Sequence, residues 1–328
     1  MLSSATDCAS NFLSTSKIRS VCKITAANEI REIPKPAIRD NEVLIKAHAI
    51  GLNPVDVKTR SGKGQAARLR KENPMILGFD VSGVITETGS LVTDFKKGDE
   101  VFGMINIPGT GKTYAEFVAA SHDHISLKPQ NISHEEAAAA SLAAMTAWQA
   151  LVVQAKIKPG QKILIHGASG GVGHFAVQIA KHFGAYVIGT SSAENKVFVL
   201  SIGADQHIDY KSVKFEEVCP MVDFVLETIG GDNIDRSLKV LNKGGTIVSL
   251  PSGASESVSE KAAAQSKKGI FFLVRSNGED IRQIAELLKQ GAIHSHVSQV
   301  FSFEQIKIAH DILASGKAKG KLVMRPFA

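Results

Sequence analysis

Cysteine is scarce in this chain of 328 residues: three thiols, Cys8, Cys22 and Cys219, with no Cys-x-x-Cys pair among them. That argues against a disulfide framework and for a reducing compartment, taken here as the cytoplasm. Aromatic residues are also few, 6% of the chain with one tryptophan, and no aromatic-rich basic segment of the kind that stacks on single strands is present. No block of like charge stands out. The net charge of +6 therefore fits an anionic cofactor, and a nucleic-acid partner is not expected. The first sixteen residues hold no Lys or Arg and no sustained apolar core. They do not resemble a secretory signal and are read as an N-terminal extension. One uncharged stretch, residues 137–155, approaches membrane-spanning length. It is rich in alanine, carries Ser141, Thr146 and Gln149, and is headed by the capping box Ser133-His-Glu-Glu136. It is read as a buried helix of a soluble protein, with no membrane partner.

The chain is organised around residues 162–181. An apolar strand, Lys162-Ile-Leu-Ile165, leads into His166-Gly-Ala-Ser-Gly-Gly-Val-Gly173 and then into an amphipathic helix. Ala168, Gly170 and Gly173 fill the three small positions of a dinucleotide fingerprint: a tight turn, a close approach of backbone to pyrophosphate, and close packing of helix on strand. A helix starting near Gly171 would aim its unpaired N–H groups and positive dipole end at the phosphates. A second apolar run, Ala185 to Thr190, follows at crossover spacing.

The length allows about two domains. From Lys17 to Lys128 the pattern is short strands and turns, with strands expected at Glu42–Ala49, Gly78–Glu87, Val101–Met104 and Tyr114–Val118. A short helix is expected with Asn53 as N-cap, Pro54 at its first position and Asp56 in its first turn, closed at Gly62. After the Ser133-headed helix, strands and helices alternate. Helices are expected at Ala193–Ser201 and Asp232–Leu241, and strands at Val222–Glu227, Thr246–Leu250 and Ile270–Val274. This is a doubly wound parallel sheet. Beyond Asn277 come a helix (Glu279–Gln290), a strand (Val297–Phe301), a second helix capped by Ser302 with Gln305, and a strand (Lys321–Arg325). These are too few for a separate core and should rejoin the first domain. The expected division is 17–137 with 277–328 for the β-rich domain and 138–276 for the nucleotide domain.

At the end of the second strand of the nucleotide domain, an NAD site places an acid against the ribose hydroxyls. Here the residues are Thr190-Ser191-Ser192, with Lys196 one turn later. Hydroxyls and an amine suit a 2′-phosphate, so NADP(H) is expected; alternatively, Ser192 caps the next helix and Lys196 is a solvated charge.

Asn53-Pro-Val-Asp-Val-Lys58, Gly78-Phe-Asp80, Gly98-Asp-Glu-Val-Phe-Gly103, Ala144-Met-Thr-Ala-Trp148, the glycine turn, and Gly203-Ala-Asp205 with Ile208-Asp-Tyr210 together resemble a known family. It is the zinc-independent medium-chain dehydrogenase/reductases of the quinone oxidoreductase group, which includes zeta-crystallin and enone (2-alkenal) reductases. The resemblance covers nearly everything from Lys17 onward. It implies an α/β fold: a Rossmann doubly wound domain plus a discontinuous GroES-like β-rich domain, with the active site in the cleft and dimers joined through the nucleotide-domain edge. It also implies cofactor roles. Thr146 should lie near the phosphates, and Ser169, Gly170, Gly171 and Val172 over the pyrophosphate. Ser191, Ser192, Lys196 and Tyr210 should surround the adenosine phosphate. Thr228, Leu250, Phe272, Leu273 and Val274 should line the nicotinamide side, although the last three would equally suit a core or dimer-edge strand.

Metal is not expected. A catalytic zinc in this superfamily needs a first-domain cysteine and a histidine, but Phe79-Asp80 stands where His-Glu would, and no Cys lies between Cys22 and Cys219. His122, His124 and His166 lack partners at metal spacing. The implied reaction is NADPH-dependent reduction of a quinone or an α,β-unsaturated carbonyl. The resemblance makes Asn53 the hydrogen-bond donor to the acceptor oxygen, with Lys58 as a second candidate, although Asn53, Pro54 and Asp56 are equally explained as a helix cap. Two alternatives remain open: a reductase of another activated double bond, and a cofactor-binding regulatory or RNA-interacting protein with little turnover.

Overall fold

The computed structural model describes residues 17–24, 27–69, 72–251, 253, 255 and 257–326; the expected extension, residues 1–16, lies outside them. Strands β1 (Lys17–Ile24) and β2 (Ala27–Pro34) form an antiparallel pair. Strand β3 (Glu42–Leu52) leads into α1 (Pro54–Arg60) and α2 (Ala66–Leu69). Next come β4 (Met75–Ile76), β5 (Asp80–Thr88), β6 (Glu100–Met104), β7 (Phe117–Ser121) and β8 (Ile125–Leu127). Apolar side chains of β3, β5 and β6, among them Val43, Ile45, Val81, Ile85 and Val101, are fully buried in one cluster. These alternating apolar positions make this a sheet with one face in a core.

Helix α3 (His134–Trp148) begins as expected: the Ser133 hydroxyl accepts from the Glu136 N–H, and the Ser133 N–H donates to the Glu136 carboxylate. It continues as a π-turn over residues 149–154. With its extension it is long and apolar enough to cross a membrane by length and composition, but most of it is buried inside the protein. A helix that is apolar nearly all round belongs in such a place: α3 is packed between the two domains.

The second domain runs β9 (Lys162–Ile165), α4 (Gly171–His182), β10 (Tyr186–Ser191), α5 (Lys196–Ser201), β11 (Gln206–Asp209) and α6 (Phe215–Val218). It continues with β12 (Val222–Glu227), α7 (Asp232–Val240), β13 (Leu241–Ser249), α8 (Val258–Ala263) and β14 (Lys268–Phe271). Six strands lie in the order β11-β10-β9-β12-β13-β14, every pair parallel. The chain winds outward from β9 in one direction and from β12 in the other. That leaves a crevice at their carboxyl ends, where ligands bind in sheets of this kind.

The last segment carries α9 (Gly278–Lys289), β15 (Val297–Ser302), α10 (Ile306–Ala314) and β16 (Lys321–Arg325). Strand β16 pairs antiparallel with β3, and β15 parallel with β16, so the C-terminal strands rejoin the first sheet. Helix α9 lies against β8 and α3. Its Ile281, Ile284, Leu287 and Leu288 join a cluster that holds Phe102 and Met104 of the β-rich domain as well as Ile163, Ile165 and Phe175 of the nucleotide domain.

Of the boundaries that differ, three have identifiable reasons. The strand expected at Tyr114–Val118 starts at Phe117, since Tyr114 leaves the sheet and points its hydroxyl at Asp56, 3.0 Å away. The helix expected at Ala193–Ser201 opens as a 3-10 turn before α5. The strand expected to reach Val274 ends at Phe271. Past it, Gln149 takes the backbone bonds of Arg275, accepting its N–H at 3.1 Å and donating to its carbonyl at 2.9 Å.

Candidate active site

The glycine turn joins β9 to α4 at the crevice. Gly167 has φ 62°, a left-handed conformation natural to glycine. A Cβ on Gly173 would stand 2.1 Å from the Gly167 carbonyl oxygen, so only glycine lets α4 pack this close to the turn. The N-cap of α4 is Gly170, which has no side chain to satisfy the helix N–H groups, and the first turn contains no acid. Free N–H groups at a positive dipole end, approached by Cβ-less backbone, form a cradle for phosphate. Ser169, Gly170, Gly171 and Val172 lie on it, partly exposed. The residues fit a dinucleotide pyrophosphate.

The end of β10 holds the groups expected around the adenosine. Ser191 and Ser192 are buried, while Lys196 and Tyr210 are exposed at the rim. The expectation that no acid stands here needs correction. The Glu194 carboxylate, three residues beyond the strand, where a strand-end motif does not look for it, accepts from the Ser192 hydroxyl at 2.8 Å. His207 of β11 was also missed; its Nε2 lies 2.8 Å from Ser191 Oγ. The residue expected near the phosphates on α3, Thr146, commits its hydroxyl hydrogen to the Leu142 carbonyl at 2.7 Å, leaving it an acceptor only. Thr228 likewise donates to the His166 carbonyl at 2.8 Å. Leu250, Phe272 and Val274 are half-buried against the core, and Leu273 is exposed past the edge strand β14. Of this run, Leu273 does not share the inward setting of its neighbours.

A cleft of about 750 Å³ lies between α1 with the end of α10 on one side and Gly253, on the β13–α8 loop, on the other. Pro54, Val57, Lys58 and Ser61 line it, a helical spacing that puts them on one face of α1. Lys58 and Lys63 are its charged lining groups. An ion pair of 2.7 Å between Lys112 and Glu72 ties the segment after β6 to the segment before β4.

Asn53 sits elsewhere. It is 1% exposed; its Nδ2 donates to Asp80 Oδ2 at 2.8 Å, and its Oδ1 accepts from the Lys321 ammonium. Both ends of the amide are committed inside the protein. In this arrangement it is not the donor to an acceptor oxygen that the resemblance implied. Its backbone N–H donates to Asp56 Oδ2 at 2.9 Å, so Asp56 reaches back to the expected N-cap residue at the start of α1. Asp80 also accepts the Leu142 N–H at 2.9 Å, which fastens α3 to β5. Lys321 donates to the Leu52 carbonyl at 2.9 Å, and the N–H of neighbouring Gly320 donates to the Ser169 carbonyl at 2.8 Å. The start of β16 therefore joins the β-rich domain to the glycine turn.

Burial dominates the electrostatics of this knot. It raises Asp56 to about 7 and Asp80 to about 6, the latter opposed by the Lys321 charge, and it lowers Lys321. Tyr114, buried and facing Asp56, is held well above its ordinary value. Asp56 Oδ1 has no hydrogen-bond partner, which accords with a carboxyl that is readily protonated. His166, expected as an ordinary core residue, hydrogen-bonds Thr190 and Ser237, each at 3.0 Å.

Fold and site together define a two-domain, dinucleotide-dependent oxidoreductase: a phosphate cradle on a doubly wound sheet, facing a cleft walled by a β-rich domain. Comparison with known proteins makes the class specific. Residues 39–130 match the alcohol dehydrogenase GroES-like domain, and residues 202–324 match the zinc-binding dehydrogenase domain. The chain is 36% identical over 301 residues to 2-methylene-furan-3-one reductase of Solanum lycopersicum, covering 89% of this chain and 74% of that protein. Its fold is similar to the quinone oxidoreductase from Coxiella burnetii, with a TM-score of 0.88 and 36% identity over 94% of this chain and 98% of the other. It is also similar to Escherichia coli quinone oxidoreductase complexed with NADPH, with a TM-score of 0.80 and 27% identity over 94% and 99%. The chain belongs to the quinone oxidoreductase and enone reductase group of the medium-chain dehydrogenase/reductase superfamily.

Zinc, implied by one of the matching domain descriptions, does not fit the residues present. Asp80 is turned toward Asn53, Lys321 and Leu142. Among the described residues no group of three or more His, Cys, Asp or Glu side chains is placed to hold a metal ion.

Proposed function

We propose that this protein is an NADPH-dependent reductase of quinones or α,β-unsaturated carbonyls that works without zinc. The observation that carries the reading is the uncapped, acid-free N-terminus of α4 at the crevice of a parallel sheet, in a molecule that also presents a lysine-edged cleft. When bound, the reduced nicotinamide supplies the hydride. The chain does the rest: the glycine turn holds the pyrophosphate, and Ser191, Ser192, Lys196 and Tyr210 hold the adenosine phosphate. On the cleft wall, the Lys58 ammonium stabilises negative charge developing on the acceptor oxygen. The fixed network around Asn53 sets the position of α1, and so of Lys58. Glu194 beside Ser192 leaves a place for a ribose hydroxyl to donate, so NADH should bind weakly rather than not at all.

NADPH consumption followed against quinones, enals, enones and simple aldehydes, with NADH as control, tests this directly. Turnover with conjugated acceptors and little with saturated aldehydes supports it; binding of NADPH without turnover on any acceptor favours the regulatory reading instead.

The assembly is proposed as a homodimer through β14, which is the sheet edge and is followed by the exposed Leu273. A mass of one chain by light scattering would contradict this. A reducing compartment, the cytoplasm, is proposed from the scattered cysteines.

A further inference from the structure

The Ser191 hydroxyl at the end of β10 has one hydrogen and two neighbours that could take it: the Ser192 carbonyl at 3.2 Å and His207 Nε2 at 2.8 Å. Which one receives it depends on where the imidazole carries its proton. If Nε2 is bare, Ser191 donates to it and the hydroxyl is closed to a ligand. If Nε2 carries hydrogen, it donates to Ser191 Oγ, and the hydroxyl hydrogen is left to the longer bond with the Ser192 carbonyl or to a ligand. His207 stands on β11, paired in register with Gly189 of β10. The charged groups facing it are Lys196 from α5 and Asp209 on its own strand. Asp209 is itself held by the Ser212 hydroxyl and the Lys211 N–H. Glu194 lies one residue further out, on Ser192.

We infer that His207 is a positioning residue for the 2′-phosphate of the dinucleotide: it donates from Nε2 to Ser191, turns that hydroxyl toward the phosphate, and takes up a proton as the dianion binds. This rests on the NADPH reading above. Burial and the Lys196 charge hold the free imidazole below its ordinary value, against the pull of Asp209. A phosphate dianion adds a second, stronger pull upward. Its own second ionisation, near pH 6, is nearly complete above about pH 7. From there to pH 8, affinity for the 2′-phosphorylated ligand should fall as pH rises, because binding requires a proton that becomes scarcer.

The test is calorimetric titration at pH 7.5, in two buffers of different ionisation enthalpy, with adenosine 2′,5′-bisphosphate and with adenosine 5′-diphosphate. The wild type should take up roughly half a proton more with the bisphosphate. His207→Gln, which keeps a donor near the Nε2 position without titrating, should hold the bisphosphate within about threefold while losing that uptake. His207→Ala should weaken the bisphosphate by about tenfold and leave the 5′-diphosphate unchanged. Unaltered proton uptake in His207→Gln, or equal weakening of both ligands in His207→Ala, would overturn the role of His207 alone. Equal wild-type affinity for the two ligands would instead overturn the phosphorylated-cofactor reading on which it rests.

Discussion

Two polar clusters of this molecule use similar residue types to opposite ends. Around Asn53, an amide, two carboxylates, a phenol and an ammonium are buried and turned toward one another; at the end of β10, two hydroxyls, an imidazole, an amine and a carboxylate meet at a partly open rim. The first cluster fastens α1, β5, α3 and β16 together. The second has an exposed Lys196 and Tyr210 with no such fastening role. The lesson is that a residue type does not identify a site. What identifies it is whether its donors remain available: Asn53 and Thr146 fail that test, Lys196 passes it, and Ser191 passes it only when His207 Nε2 carries hydrogen.

The largest expected effect lies in the closed cluster. Lys321→Met leaves Asp80 buried without its cation, and removal of one partner from a buried pair typically costs about 3–5 kcal/mol. Urea unfolding should register this loss; a change under about 1 kcal/mol would show that the ammonium is not part of the fastening. Gly173→Ala attacks the open site instead, by forcing a Cβ against the Gly167 carbonyl. Dinucleotide affinity, read by fluorescence titration, should fall more than about tenfold, a free-energy loss of at least ~1.4 kcal/mol.

Asp56→Asn sharpens the contrast through pH. Because burial raises this carboxyl to about 7, its favourable contribution is complete below its ordinary range near pH 4 and is lost as pH rises through about 7. The neutral isostere should therefore match the wild type in acid and exceed it by about 2 kcal/mol at pH 8. Thermal melts across pH 4–8 check the sign; a variant less stable than wild type at pH 8 contradicts it.

The smallest effect belongs to the rim. Lys196→Ala should weaken NADPH by about tenfold and NADH hardly at all, with no change in melting temperature. Equal weakening of both nucleotides would return Lys196 to the status of a solvated charge.

The nucleotide domain was legible because its signals are local. Strand, glycine turn and helix follow one another within twenty residues, and the expected strand Val222–Glu227 matches β12; in the β-rich domain the expected strand Lys321–Arg325 matches β16. The capping box at Ser133 and the short helix after Asn53 are local too. What escaped was long-range. Nothing near Asn53 announces that Lys321, from the last strand, accounts for its carbonyl, or that Asp80 accounts for its amide. His207 stands on the strand next to Ser191, so only the parallel register of β10 and β11 reveals the pair. Glu194 was overlooked because it lies beyond the strand end and folds back through a 3-10 turn.

Transfer of label from cofactor to acceptor tests the central claim most directly. With NADPH deuterated at the transferring C4 position and an α,β-unsaturated ketone, the account predicts one deuterium at the β-carbon of the saturated product, seen by NMR, in protein stripped of metal by a chelator. Unlabelled product, no product, or activity that returns only when zinc is added back would contradict it.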